Sequence, residues 1–201
     1  MAWALATRSL VPYFYNRPVD ALDLLDQAAE VAVRASSSRR QAWVAALRAR
    51  AAAAARDEDA ALTHLETAHA SLAVAAAPEG NDFFDEARLT GFAGATMLKL
   101  RRADDAAALL SQSVAGRSAS DAKGRALATL DQAECMVILG ETGKAEHLVD
   151  QALNIAGSSP VAPIVLRVKD VRADIMAVDP TTAARVGERR REAMSQPRPQ
   201  E

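Results

Sequence analysis

The chain has few side chains that could act as nucleophiles or metal ligands. It has three histidines, His64, His69 and His147, and one cysteine, Cys135. His64 and His69 are five residues apart and point to different sides of a helix, whereas helical zinc sites use an i, i+4 pair or add cysteine ligands. Cys135 has no histidine near it in sequence to activate a thiolate. We therefore predict a structural cysteine, partly exposed histidines, and neither a metal site nor a catalytic nucleophile.

The segment from Gly140 to Lys144 shares a glycine and a following lysine with phosphate-binding loops. Those loops need G-x-x-x-x-G-K-[ST] directly after a strand. Here Ile138 occupies the position of the first glycine, Ala145 occupies that of the hydroxyl residue, and the preceding segment reads as a helix. We interpret the segment as a helix–helix turn and predict no cofactor.

Carboxylates are plentiful, but their positions favour helix stability over catalysis. Asp20, Asp23, Asp26 and the acidic run 57–59 fall in first turns or on outer faces of predicted helices, where they complement the helix dipole. General acid–base catalysis needs a pocket that raises a carboxyl pKa, and no such pocket is predicted. The chain is therefore predicted not to be an enzyme, and an enzyme subunit on a helical scaffold is the least favoured alternative.

Composition excludes several classes of partner. The formal charge is -2, from 24 basic and 26 acidic side chains, which gives no electrostatic footprint for a nucleic acid. No apolar run approaches the ~20 residues that span a bilayer. A single cysteine excludes an internal disulfide and fits a reducing compartment. We expect a cytoplasmic protein that binds neither nucleic acid nor membrane by itself.

The elements that would position any site are helices. Hydrophobic residues make up 50% of the chain but aromatics only 4%, and the abundant alanine is the strongest helix former. Loop signals divide the chain into about ten helices. The predicted array covers residues 1–178, with helix pairs over about 1–35, 38–77, 82–115 and 119–156 and a capping helix over 160–177. A C-terminal helix over 180–195 and a disordered tail over 196–201 follow.

The second helix of each pair repeats a small, a large and a small residue. Each set begins five residues after a turn residue, at Asn16, Arg56, Arg101 or Gly140. The sets are Ala21/Leu25/Ala28, Ala61/Leu65/Ala68, Ala106/Leu110/Ser113 and Ala145/Val149/Ala152. Because a helix pair has an apolar face that it cannot bury alone, the repeat predicts pairs that stack on their neighbours.

These sets, together with Gly140 in a turn and Gly94 in a first helix, resemble the tetratricopeptide (TPR) repeat family. The steps of 40, 45 and 39 residues between sets exceed the family's period of about 34 residues. The resemblance implies an all-α, TPR-like α-solenoid of stacked antiparallel helix pairs.

The same resemblance implies that the first helices line a concave groove that binds a ligand. The positions that it assigns to this groove are Trp3, Tyr13, Trp43, Arg50, Arg88, Lys99 and Glu134. Aromatic anchors and cations on one surface suit an extended peptide or an anionic small ligand. The alternative, that Trp3 and Trp43 are ordinary packing residues, stays open.

The segment from Ala126 to Ala156 resembles the C-terminal TPR-like region of XRE-type helix-turn-helix transcription regulators from high-GC bacteria. That resemblance implies a sensory or oligomerisation module that binds a protein, a peptide or a small effector. A DNA-binding helix-turn-helix is not visible in this sequence. The alternative is a free-standing TPR-like adaptor protein.

The first predicted helix is too apolar for the exposed end of a repeat array. It contains Trp3, Leu10, Tyr13 and Phe14, whereas terminal repeats need a polar outer face. We therefore expect something to cover it. The two candidates are a missing N-terminal domain and a second copy of the chain, which would give a homodimer.

Overall fold

Helix-favouring, capped segments form ten α-helices and no strand in the part of the chain that the structure describes. This structure is a computed structural model that describes residues 1–35, 37–75, 84–157 and 161–195. The helices are α1 (Ala2–Phe14), α2 (Pro18–Arg34), α3 (Ser38–Ala54), α4 (Glu58–Ala73), α5 (Glu86–Lys99), α6 (Ala103–Gly116), α7 (Ala122–Ile138), α8 (Thr142–Ala156), α9 (Ala162–Val178) and α10 (Pro180–Ser195). Among them, none is both long and apolar enough to cross a membrane.

Four helices begin at an aspartate whose carboxylate accepts a hydrogen bond from the backbone N–H three residues later. The pairs are Asp57–Ala60 (3.0 Å), Asp85–Arg88 (2.8 Å), Asp121–Gly124 (3.1 Å) and Asp179–Thr182 (3.0 Å). Each cap satisfies a backbone donor that the helix leaves unpaired, and such caps contribute about 1 kcal/mol. These carboxylates therefore have a structural role.

One type of turn follows α1, α3, α5 and α7. Its central residues, Asn16, Arg56, Arg101 and Gly140, have φ angles of 56°, 66°, 64° and 80°. In each turn the N–H of that residue bonds the carbonyl three residues earlier, and the next N–H bonds the carbonyl five residues earlier. This is the Schellman motif. Glycine adopts its left-handed conformation without steric cost, but the hydrogen bonds form equally around asparagine and arginine here.

The N-terminal unit, Met1–Arg102, contains α1 to α5. Its central element is α3, which packs against α1, α2, α4 and α5. Ten of the 17 residues of α3 are buried, and seven of these are alanine. Small side chains on several sides let four neighbouring helices approach one helix, so α3 holds this unit together.

The C-terminal unit, Ala103–Glu201, contains α6 to α10. Here α7 packs against α6, α8 and α9, while α10 packs against α8 and α9. The segments predicted as a capping helix and a separate C-terminal helix are thus α9 and α10, packed on each other. The tail predicted over 196–201 and the predicted helix bounds at 77 and 82 lie outside the described residues.

The small–large–small sets of α2, α4, α6 and α8 form the buried stripes of these helices. All twelve residues are between 0% and 6% exposed. In α6 the last small residue is Ser113, whose hydroxyl accepts a hydrogen bond from Arg117 at 3.1 Å. The pattern read from the sequence therefore marks the side of each second helix that faces its unit's interior.

Replacing Arg56 or Arg101 with glycine is expected to raise the free energy of unfolding by about 1 kcal/mol, because the left-handed φ angle strains a residue that has a Cβ atom. Gly140→Ala should lower the free energy of unfolding by a similar amount. The cause would be the positive φ angle alone, since an added Cβ would meet no atom within 4 Å. Chemical denaturation measures both changes. Arg40→Gly, at an exposed helical position of α3, is the control and should be destabilising; an equal loss in Arg56→Gly would contradict the strain argument.

A second prediction concerns Asp179, which links the starts of α8 and α10. Hydrogen bonds from the side chain and backbone of Thr182, and from the hydroxyl of Thr142 at 3.0 Å, lower its pKa from 3.8 to about 2. Since the folded-state pKa lies below the unfolded one, the carboxylate stabilises the fold fully above about pH 4 and loses this effect as the pH falls towards 2.

In thermal melts between pH 2 and 7, the melting temperature of Asp179→Asn should therefore lie below that of wild type at neutral pH. The difference between the two melting temperatures should disappear as the pH falls towards 2. Asp23→Asn, at an exposed position of α2, is the control and should follow wild type throughout. A constant difference between Asp179→Asn and wild type across this range would show that the ionised carboxylate is not the stabilising species.

Candidate functional site

The helices of the N-terminal unit divide by charge. The first helices α1, α3 and α5 carry seven basic residues, namely Arg8, Arg39, Arg40, Arg48, Arg50, Arg88 and Lys99, and one acidic residue, Glu86. The second helices α2 and α4 carry the reverse, one basic residue, Arg34, and seven acidic ones, namely Asp20, Asp23, Asp26, Glu30, Glu58, Asp59 and Glu66. The whole chain is nearly neutral, but within this unit the first helices have a net positive charge and the second helices have a net negative charge.

Helical spacing collects several of the basic residues on one side. Residues 39, 43 and 50 lie on one side of α3, and residues 88, 92 and 99 lie on one side of α5, because separations of 4, 7 and 11 return to the same face. Arg50 of α3 contacts Tyr13 of α1 and Phe92 of α5, which joins the three helices on this side. We call the resulting surface the first-helix face; it comprises Tyr13, Arg39, Arg50, Arg88, Phe92 and Lys99.

Arg50 is the centre of the first-helix face. Its guanidinium carbon lies 4.4 Å from the centre of the Tyr13 ring and 5.1 Å from that of Phe92. Each ring has a further aromatic neighbour, since Tyr13 meets Phe14 edge-on at 5.6 Å and Phe92 lies 6.0 Å from Phe84. A guanidinium is attracted to ring faces and stacks on them. The contacts thus hold Arg50 with side chains from α1 and α5.

The charge of Arg50 has no anionic partner among the described residues. Its Nε is buried without a hydrogen-bond partner, and its guanidinium makes no ion pair there. By contrast, Arg48 on another side of α3 pairs with Asp26 at 2.8 Å. A guanidinium carries five N–H donors in a fork that matches a carboxylate or a phosphate. Arg50 is therefore positioned by aromatic rings and retains donors for an external anion.

The other cations of this face differ in how they are held. Arg39 donates a hydrogen bond to the Phe84 carbonyl at 2.7 Å. Arg88 pairs with the carboxylate of Asp85, the cap of α5. Lys99 is exposed in the last turn of α5. Two of these side chains are thus oriented by the protein itself, while the lysine extends the positive surface towards the end of the helix.

The structure does not bring all seven predicted groove residues together. Tyr13 and Arg50 are in contact, and Arg88 and Lys99 share a side of α5 with Phe92. Trp43 is only 8% exposed and belongs to the core of the N-terminal unit. It is therefore a packing residue, which corrects its assignment to the ligand surface.

Trp3 also lies apart from this cluster, and Glu134 belongs to the other unit. Trp3 is 58% exposed but is about 80° around α1 from Tyr13, since ten residues do not complete a whole number of turns. Glu134 lies in the C-terminal unit. Sequence reasoning missed Arg39 and Phe92, although their helical spacing from Trp43, Arg88 and Lys99 was a usable signal.

Glu134 belongs to a mostly buried ion-pair network between α7 and α9. Arg167 of α9 donates to Asp131 at 2.8 Å and to the carboxylate of Glu134. Burial opposes the charge of Arg167, but the two carboxylates outweigh it and raise the pKa of the guanidinium. Glu134 is thus engaged in holding two helices of its unit together.

The side chains with nucleophilic or metal-binding chemistry are not arranged for it. Burial, with the nearby Asp131 and Glu134 carboxylates, raises the pKa of Cys135 to about 12. Burial and the charge of Arg48 lower the pKa of His64. Within the described ranges, no three His, Cys, Asp or Glu side chains are grouped so that they could hold a metal ion. These observations leave the first-helix face as the candidate site.

Comparison with solved structures identifies the helix arrangement. A crystal structure of a single-substitution variant of a provisionally assigned kinesin light chain from Podosopora anserina, with nearly identical TPR-like repeats, has a TM-score of 0.60 over 94% of this chain and 92% of that chain, at 16% identity. The crystal structure of the same protein without that substitution gives a TM-score of 0.59 over 94% and 93%, also at 16% identity. No protein-family profile and no curated protein matches the sequence. The predicted all-α, TPR-like fold is thereby confirmed, and at this identity the likeness concerns the fold alone.

The Cys135 thiol is expected to resist a thiol reagent such as DTNB at pH 8 in the folded protein and to react fully after unfolding in guanidinium chloride. Burial blocks access, and a pKa of about 12 keeps the sulfur protonated. Absorbance of the released thiolate measures the reaction. Thr67→Cys, at an exposed position of α4, supplies a reactive control; native labelling of Cys135 at the control's rate would show that the site is open.

Proposed function

We propose that the chain is a non-catalytic protein-interaction module whose N-terminal unit binds an acidic segment of a partner protein along the first-helix face. The observation that carries this proposal is the ring-stacked guanidinium of Arg50, which pairs with no carboxylate of the described residues, within helices that carry seven basic residues and one acidic residue. TPR-like arrays use surfaces formed by successive repeats to bind other proteins. The charge of this surface selects the chemistry of the partner.

A carboxylate is the ligand group that suits Arg50 best. Two parallel N–H···O bonds from one guanidinium match the planar carboxylate. The surrounding rings exclude water, which strengthens such a charge-assisted bond, and one of these contributes about 1.5–3 kcal/mol. Tyr13 and Phe92 add apolar surface beside the charge. An aspartate or glutamate flanked by apolar residues is therefore the expected recognition element.

The extent of the first-helix face favours a peptide segment over a small effector. The face crosses α1, α3 and α5, and helix axes in contact lie about 8–10 Å apart. Its cations are spread along α3 and α5, whereas small-ligand sites are concave and bring a few polar groups to one point. An extended acidic segment can meet Arg50 and Lys99 in succession.

Two biological settings suit such a module. The resemblance of Ala126 to Ala156 to the TPR-like part of XRE-type regulators supports a sensory or oligomerisation role in a bacterial transcription regulator, and we propose this setting on that resemblance alone. A free-standing adaptor is equally consistent with the fold. An in-frame upstream segment encoding a helix-turn-helix would favour the regulator, and a stop codon followed by a ribosome-binding site would favour the adaptor.

Selection of a random peptide library on the purified chain tests the proposed function. We expect peptides rich in aspartate and glutamate. In fluorescence anisotropy, Arg50→Gln should weaken their binding at least tenfold, because it removes the ring-stacked cation but keeps a polar side chain. Arg34→Gln, which removes the same charge from the exposed outer surface of α2, should change binding less than twofold.

Other results would contradict the proposal at different points. Recovery of no binding peptide would oppose a peptide-binding function. Peptides that bind wild type and Arg50→Gln equally would place the site elsewhere. Raising the salt concentration from 0.05 to 0.5 M should weaken binding to wild type, since screening acts on exposed charges, and circular dichroism of each variant checks that the fold is retained.

A further inference from the structure

An uncharged strip runs along the exposed side of α1. Trp3, Thr7, Val11 and Phe14 follow one another at spacings of four, four and three residues and therefore share one side of the helix. Trp3 and Val11 are each 58% exposed and Phe14 is 72% exposed. We call these four residues the α1 strip. Large exposed apolar patches on folded chains mark interaction sites.

The α1 strip is separate from the side of α1 that packs inside the N-terminal unit. That inner side carries Ala2, Ala6 and Ser9, all buried, and contacts α2 and α3. Apolar surface continues past the strip through Tyr15 and Val19, which are also exposed. Helix α1 therefore has two largely apolar sides. One packs against α2 and α3, and the other, the α1 strip, is not covered by any described residue.

We propose that the α1 strip is a self-association surface on which α1 of a second copy of the chain packs antiparallel. The first argument is charge. The strip has no charged residue, and Arg8 is the only residue of α1 that is charged at neutral pH, so two copies can meet without burying like charges. The outer surface of α2, with Asp20, Asp23 and Asp26, could not pair with itself in this way.

The second argument is the order of side-chain sizes. A two-fold axis that passes between positions 8 and 9 places Trp3 against Phe14 of the second copy, and Phe14 against its Trp3. Near the axis Thr7, a small and partly buried residue, lies against Val11 of the second copy. Two aromatic pairs at the ends and a small residue at the centre form an isologous contact, in which one patch complements itself.

The third argument is continuity with the packing inside the unit. There, α3 contacts a first helix on each side, α1 and α5. For α1, α3 is the only first helix in contact, and the described residues leave the α1 strip uncovered. A second α1 would extend the same kind of helix-to-helix contact. An anionic membrane fits less well, because one cation accompanies the strip and acidic residues of α2 follow it.

The α1 strip and the first-helix face adjoin where Phe14 of the strip meets Tyr13 edge-on at 5.6 Å. Tyr13 itself is partly buried and packs against the core of the N-terminal unit, and Trp3, Thr7 and Val11 lie on a different side of α1. The two proposals rest on different observations, and their tests use different substitutions, Arg50→Gln and Thr7→Arg. The failure of one is therefore distinguishable from the failure of the other.

Sedimentation velocity over a hundredfold range of protein concentration tests the proposal. Wild type should form a dimer that dissociates on dilution. Thr7→Arg, which puts a charge at the centre of the strip without altering the buried side of α1, should raise the dimer dissociation constant at least tenfold. Thr67→Arg, the same substitution at an exposed position of α4, should leave it unchanged.

Disulfide trapping tests the antiparallel arrangement. A mixture of Thr7→Cys and Val11→Cys chains should form the mixed cross-link faster than Thr7→Cys forms a cross-link alone, because residues 7 and 11 of opposite copies are neighbours. Cys135 is buried and should not contribute, which wild type tested in parallel verifies.

Three outcomes would overturn the proposal. One is a wild-type monomer at every concentration. Another is a dimer that Thr7→Arg leaves intact, which would place the interface elsewhere. The third is polydisperse aggregation of wild type that Thr7→Arg relieves, which would mean that the strip is covered by another polypeptide and not by a second copy.

Discussion

Close contact between alanine-faced helices is the constraint on which the N-terminal unit depends. Most positions of α3 are buried, and alanine fills most of them, so four helices approach its backbone closely. In such a core, added volume is costly because the axes would have to separate. Large side chains are consequently few, and several of them, such as Phe84 and Leu89, come from α5 or the residues just before it. The long polar side chains are left to occupy the outer faces, where charge can be sorted by helix.

This sorting gives the first-helix face its character. In the C-terminal unit, acidic side chains of α7 neutralise Arg167 of α9, so that its first helices are joined by ion pairs. In the N-terminal unit the corresponding contact joins α1, α3 and α5 through a cation and two aromatic rings. An aromatic contact positions a guanidinium without cancelling its charge. The same fold therefore supports one internally paired surface and one surface with charge available to a ligand.

The fold could be predicted from the sequence, but much of the candidate site could not. Helix class and the buried stripes follow from periodicity, and the turn residues follow from their fixed distance to those stripes. Periodicity identifies a helix side but not its neighbours. Trp43 shares a side of α3 with Arg50, yet it is covered by packing while Arg50 reaches Tyr13 and Phe92. Glu134 lies on α7, but Arg167, which donates to it, is 33 residues away in sequence and no local pattern connects them.

The first helices of the N-terminal unit carry more basic than acidic residues and the second helices the reverse, so the two sets contribute opposite charge. Such a separation of charge would act at a distance, before any contact forms, and would turn the positive helices towards the acidic partner that we propose. Orientation during approach raises the association rate and has little effect on the lifetime of the complex. The separation of charge between helices would thus govern how quickly a partner is found, and Arg50 with its aromatic neighbours would govern how long it stays.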